Sequence, residues 1–204
     1  VTDGTKVEVS DPTVTLTDNP SISDLNDIAG ATTGVVTATL AANSLTNLGS
    51  LSTGAADVIT VTVNDADAAA VTAANLSALG GKTAGTVTVT NAVAITGNHD
   101  QVTAALVTDE TKVEVSNATV TINDADATAI TAAELSAIGG ATTGTVTVTN
   151  AIGITGTTAE VVAALVTDGT KVEVSDPTVT LTDNPSISDL NDIAGATTGV
   201  VTAT

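Results

Sequence analysis

TVTVTNAIGITG, residues 145–156, and TVTVTNAVAITG, residues 86–97, are one pattern written twice at an offset of 59 (145 minus 86). Valine alternates with threonine at strand period, so Val146 and Val148 share one face while the threonines take the other. A two-residue Asn-Ala corner follows, and a second short strand, IGIT at 152–155, sends Ile152 and Ile154 to a common face. The corner asparagine stands where the next inward side chain belongs, which raises the question of whether it serves a site or the architecture.

The answer begins with the repeats, which precede any local motif in the reading. Residues 1–39 recur unchanged at 166–204, a period of 165 (166 minus 1). Inside it, VTDETKVEVS at 107 returns as VTDGTKVEVS at 166, and TAANLSALGG at 72 returns as TAAELSAIGG at 131, both at a spacing of 59. The repeat units are therefore 1–47, 48–106, 107–165 and 166–204, the last a partial copy of 1–39, in one continuous segment. Each full unit divides again, with half-units starting at Lys112, Thr145 and Lys171, of lengths 33 and 26.

Every half-unit opens on an alternating strand, KVEVS at 112–116 or TVTVT at 145–149, then turns a corner spelled NA or DP. A second strand, TVTIN at 119–123 or IGIT at 152–155, precedes about two helical turns. Thr131 with Glu134, Thr157 with Glu160 and Asn98 with Gln101 have capping-box spacing. Leu135 with Ile138, and Val161 or Val162 with Leu165, fall on one helix face, and Gly80–Gly81 and Gly139–Gly140 are stop signals. Helices this short need capping and packing to persist. The grammar predicts a β-solenoid, an α/β solenoid of parallel β-helix-like coils: two short strands, an Asn/Asp corner and a short capped helix, with coil lengths of 26–33. LAANSLTNLGSLST at 40–53, with Leu45, Leu48 and Leu51, is expected to be its least regular part. Tandem immunoglobulin-like sandwiches, which take about 100 residues each and a bulky core residue, fit these short repeats poorly.

Composition narrows the function. The chain of 204 residues has no Phe, Tyr, Trp, Met or Cys, so its core is built from Val, Ala, Leu and Ile, and disulfides and thiolate chemistry are excluded. With 23 acidic and 4 basic residues the net charge is -19, which excludes a basic nucleic-acid footprint and opposes adsorption to anionic membranes, and no 18-residue apolar run is present for membrane insertion. The chain begins at Val1 without a signal-peptide pattern and reads as a segment of something longer, its open strand edges continuing into further repeats or into end-to-end assembly.

Four features are candidates for a site. Asn91, Asn117 and Asn150 are expected to form a structural corner ladder, each amide meeting backbone and its copies above and below, because a buried amide without partners costs a few kcal/mol. The acidic loops NDAD at 64–67 and 123–126 and TDNPSISD at 17–24 and 182–189 offer Asp65, Asp67, Asp124, Asp126, Asp18 and Asp183 as metal ligands for Ca²⁺; the alternative is turn formation and helix capping. The threonine faces resemble ice-binding arrays, although Lys112, Glu114 and Ser116 interrupt them on the neighbouring rung. His99, the only histidine, has Thr158 as its counterpart in the next unit; no nucleophile–base pattern or phosphate loop accompanies it, and the chain reads as no enzyme.

GATTGTVTVT, TAAELSAIGG, AEVVAALV and KVEVS together resemble the giant repetitive "β-strand repeat" surface or matrix proteins of cyanobacteria and other marine bacteria. The resemblance spans essentially the whole chain. It implies a secreted, extracellular structural protein of the cell surface: a stiff rod, filament, sheath, surface layer or adhesin stalk whose partner is itself, with no catalytic residues. The alternative is a ligand-binding module, a Ca²⁺-dependent adhesin repeat or an ice-binding face.

Overall fold

The computed structural model describes residues 11–203; the KVEVS copy at 6–10 lies outside them. The chain runs through β1 (Val14–Thr15), α1 (Ile22–Ala31), β2 (Val36–Thr39), α2 (Leu45–Leu48), β3 (Val58–Val63), β4 (Ala70–Thr72) and α3 (Ala73–Gly80). It continues through β5 (Val87–Val89), β6 (Ala94–Gly97), α4 (His99–Leu106), β7 (Glu114–Val115), β8 (Thr119–Ile122), β9 (Ala129–Thr131) and α5 (Ala132–Gly140). The last elements are β10 (Val146–Val148), β11 (Gly153–Gly156), α6 (Thr158–Leu165), β12 (Glu173–Val174), β13 (Thr178–Leu181), α7 (Ile187–Gly195) and β14 (Val201–Thr202).

All strand pairings among the described residues are parallel, and each joins positions 21–26 apart in sequence. They form three sheets, ordered β1-β2-β3-β5-β7, β4-β6-β8-β10-β12 and β9-β11-β13-β14. From α2 to α7 the helices pack in chain order against one another.

The expected β-solenoid, with two strand rows repeating coil on coil, is therefore corrected. The molecule is an α/β protein of three separate parallel sheets and seven helices among the described residues. The reason lies in the unequal half-units. Residues 127–131 of the longer one add a third strand, β9, so strand positions do not superimpose from one half-unit to the next. β8 pairs through Thr119–Ile122 with β6 on one side and through Val120–Ile122 with β10 on the other, joining a second strand to a first. Sheets two and three thus begin at β4 and β9, an offset of 59 (129 minus 70), and sheets one and two end at β7 and β12, the same offset (173 minus 114). Beside the last strands lie helix ends: Val115 borders Gly139–Ala141, and Val174 borders Gly195–Ala196.

One continuous core runs from Leu25 to Ile193. Val120, Ile122, Ile152 and Ile154 are buried on the sheet side, and Leu135, Ile138, Val161 and Leu165 on the helix side, as period 2 and helical spacing require. Leu45, Leu48 and Leu51 are buried as well; the 40–53 stretch closes a tight turn around α2, where Thr37 pairs with Val58 and the isolated bridge joins Asn43 to Val63, a step of 20 (63 minus 43). No helix among the described residues is long and apolar enough to cross a membrane.

Thr-x-Gly turns fasten β5 and β10 to the preceding pass of the chain. Buried Thr142 Oγ1 donates to Ala118 O (2.7 Å) and accepts from Gly144 N (3.0 Å); buried Thr83 accepts from Ile59 N (2.7 Å) and Gly85 N (2.8 Å). The glycine lets two backbones touch: a Cβ on Gly144 would overlap Ala118 O, and one on Gly85 would overlap Ile59 O. Gly144→Ala is expected to destabilise the chain by about 2–3 kcal/mol in urea unfolding. Gly30→Ala, at an exposed helix position where an added Cβ meets nothing, is expected to stabilise it by about 1 kcal/mol. Equal effects from the two would contradict this packing.

Candidate functional site

The acidic loops and the corner asparagines meet. In a helix the first amide has no intrahelical acceptor, and here a carboxylate from the following turn supplies one. Leu45 N at the start of α2 donates to Asp65 Oδ2 (2.6 Å), His99 N at the start of α4 to Asp124 Oδ2 (2.7 Å), and Thr158 N at the start of α6 to Asp183 Oδ1 (2.7 Å). Asp65, Asp124 and Asp183 hold the same place in successive units, so the device repeats with the unit.

The second aspartate of each loop faces the other way. Asp67 Oδ1 accepts from Ala92 N (2.9 Å) and Asp126 Oδ1 from Ala151 N (3.1 Å), both on the turn above. The asparagine beside that amide returns the bond: Asn91 Nδ2 donates to Asp65 O (2.7 Å) and Asn150 Nδ2 to Asp124 O (2.5 Å). Ala68 and Ala127 complete the clasp by donating to Ala92 O (2.8 Å) and Ala151 O (2.7 Å). Both alanines hold positive φ, 60° and 62°, a conformation that costs a non-glycine residue about 1–2 kcal/mol and is offset by these bonds. Each NDAD loop therefore ties together three successive passes of the chain.

Of the expected asparagine ladder, the bonds to backbone are present at Asn91 and Asn150, and among the described residues no bond joins one corner asparagine to another. Asn91 and Asn150 are half-buried, with their amides directed to backbone carbonyls of the acidic loop. Asn117 is exposed and its Oδ1 accepts from Ser116 Oγ (3.2 Å). The physical reason is that Asn117 occupies the other kind of corner, whose counterpart one unit on is Asp176.

Of the aspartates expected as metal ligands, Asp65, Asp67, Asp124, Asp126 and Asp183 instead accept from backbone amides of different turns. Asp18 is exposed, as is its copy Asp183. Among the described residues no three His, Cys, Asp or Glu side chains gather as a metal-binding group. The threonine rows are interrupted, Thr88 pairing with Glu114 and Thr147 with Glu173.

His99 belongs to the same device. Its Nδ1 lies 2.7 Å from Asp124 Oδ1 and its Nε2 3.3 Å from Asp100 Oδ1. Thr158 takes its place in the next unit, donating from Oγ1 to Asp183 Oδ1 (2.6 Å). Both residues thus bind the capping carboxylate twice, through main chain and side chain.

All three anticipated capping boxes are present, at Asn98–Gln101, Thr131–Glu134 and Thr157–Glu160. The Thr131 hydroxyl and amide hold Glu134 below the usual carboxylate range, and the Thr158 hydroxyl and amide do the same for Asp183. Asp57, which no sequence motif marks, is buried and accepts from Val36 N and Gly54 N, both at 2.8 Å. Its counterpart one unit on is Ser116, so periodicity gives no signal there. Thr142 is visible in sequence only as part of GATTG at 140–144 and Thr83 only as part of GKTAG at 81–85, stretches without an assigned contact.

No family model, curated protein or solved structure matches the chain.

Removing the buried carboxylate with Asp124→Ala is expected to cost about 1–3 kcal/mol in urea unfolding, because it strands the His99 amide. Asp126→Ala, at an exposed position, is expected to cost less. A reversed order would contradict the clasp. Acid provides a second check. Glu134 is held low in the folded state, so its contribution is present above the unfolded-state pKa and is lost as pH falls through the lower folded one. Glu134→Gln, which keeps the capping geometry without the titration, should flatten the acid limb of the stability profile; an unchanged limb would rule that source out.

Proposed function

We propose that the chain is a structural repeat protein of the extracellular surface, a stiff element of a filament, sheath, surface layer or adhesin stalk whose partner is its own kind. One observation carries the reading: the loop aspartates and the asparagines of the 91 and 150 corners, which recur with the repeat, are consumed in bonds between successive turns. Asp65, Asp124 and Asp183 cap helices, Asp67 and Asp126 accept corner amides, and Asn91 and Asn150 return the bond. What repetition preserves here is cohesion along the chain. The aromatic-free, cysteine-free composition and the resemblance of the motifs to bacterial surface and matrix repeat proteins support the same reading.

Localisation of the native protein tests it. Antibody raised against the chain is expected to decorate extracellular fibres or the cell envelope in thin sections of the source cells. Label confined to the cell interior would overturn the proposal. A calcium-dependent adhesin makes a different demand: at 100 times its dissociation constant a bound ion adds about 2.7 kcal/mol of stability. We expect the thermal midpoint in calcium to equal that in chelator, and a clear upward shift would contradict the purely structural role.

A further inference from the structure

The corner that Asn117 occupies is spelled Asn-Ala there and Asp-Pro at the two equivalent places, Asp11–Pro12 and Asp176–Pro177. The change of residues changes the backbone. Asp11 and Asp176 adopt positive φ, 51° and 49°, and Asn117 does not. Left-handed backbone is strained for a residue with a side chain, and a following proline presses its Cδ on the aspartate's own N–H and Cβ, which favours extended backbone instead. The neighbouring threonine changes partner as well. Beside Asn117, Thr143 Oγ1 donates to the backbone, at Ser116 O (2.9 Å), whereas Thr33 and Thr198 turn their hydroxyls to Asp11 Oδ1 and Asp176 Oδ1. Gly34 and Gly199 hold the corner from the next pass, so close that a Cβ on either would overlap the carbonyl oxygen of Pro12 or Pro177. Just beyond, Val14 N donates to Val35 O (3.0 Å) and Val179 N to Val200 O (2.8 Å). Each Asp-Pro peptide is thus strained, clamped on its proline side, and flanked by a carboxylate tethered through one oxygen.

We propose that these two corners are self-cleavage sites, at which the aspartate carboxylate breaks its own residue's peptide bond to proline. The step needs only water. A carboxylate oxygen of Asp176 attacks the carbonyl carbon of the same residue and closes a five-membered cyclic anhydride, the carboxylate acting as an intramolecular nucleophile. The C–N bond to Pro177 breaks, its electron pair stays on the proline nitrogen, and that nitrogen takes a proton from solvent. Water then opens the anhydride, which restores the side-chain carboxyl and leaves a second one as the new chain end. Proline suits the step because its nitrogen carries two carbon substituents and no N–H, so it departs as a basic secondary amine. Lengthening of the C–N bond also relieves the clash that holds Asp176 in strain. Asp11 and Asp176 are exposed, as is Asn117 in mid-chain, so solvent reaches this kind of corner wherever it occurs. Cuts at both corners release residues 12–176, one full period of 165 (177 minus 12).

Mass spectrometry of the full chain tests the proposal. Folded chain held at about pH 5, above the ordinary aspartate pKa of about 3.9 so that the attacking group is ionised, is expected to yield new chains beginning at Pro12 and Pro177, with Asn117–Ala118 uncut. Relief of left-handed strain is worth about tenfold in rate, so the same chain unfolded in urea at the same pH is expected to be cut about tenfold more slowly. Asp176→Asn keeps an acceptor for Thr198 and removes the nucleophile. It should stop the cut at 176 and leave the cut at Asp11 as an internal control. Thr198 acts as a positioning residue: Thr198→Val should slow the 176 cut, Thr198→Ser, which keeps the hydroxyl, should restore it, and Thr143→Val should change neither site. A folded chain that remains whole, a cut that runs as fast in urea, or a 176 cut that survives Asp176→Asn overturns the proposal.

Discussion

Everything in this fold depends on the short distance between one pass of the chain and the next. Parallel strands lie about 4.8 Å apart, a gap that an aspartate or asparagine side chain spans with one hydrogen bond to spare. Asp124 uses that reach downward to the first amide of α4, Asp126 uses it upward to Ala151 N, and Asn150 uses it downward to Asp124 O. Larger side chains would overshoot and valine would leave the amides orphaned. The same constraint explains the Thr-x-Gly turns, where a hydroxyl bridges two passes and glycine removes the one atom that would hold them apart.

Two kinds of contact divide the work. The apolar core, made of β-branched and small residues, joins every turn to its neighbours without distinguishing one turn from another. A sequence this repetitive invites slippage by a half-unit, since Val on Val is satisfied in many registers. The clasps are less forgiving. The NDAD bonds recur once per unit and not once per half-unit, Asp65 and Asp124 reaching the starts of α2 and α4 and Asp67 and Asp126 the amides of Ala92 and Ala151, so the polar bonds mark a register that the core leaves open. The alternation of longer and shorter half-units has the same effect on a larger scale, ending each sheet and starting the next once per repeat unit.

Much of this was legible in the residues. Period 2 places Val120, Ile122, Ile152 and Ile154 inside, and the capping-box spacings at 98, 131 and 157 locate three helix starts. These are local signals, complete within a few residues. The sheet arrangement is not legible in the same way, because it depends on what lies one full turn of the chain away, and the third strand of the longer half-unit, Ala129–Thr131, reads as part of the helix start that follows it. Asn117 shares the dipeptide NA with Asn91 and Asn150, whereas position within the unit, which sets what lies below, separates them. The aspartates pose a different difficulty: acidic residues at alternating positions suit calcium and helix caps alike, and only the placement of the neighbouring turn distinguishes the two.

Native-state hydrogen exchange of single amides tests the central claim most directly. The first amide of a helix ordinarily has no acceptor and exchanges quickly. If the carboxylate clasps hold the turns together, the amides of Leu45, His99 and Thr158 will be protected to a degree comparable with strand amides such as Val120, and Asp124→Ala will release His99 alone. Exchange at these three amides as fast as in an unstructured peptide, with the strands still protected, would contradict it.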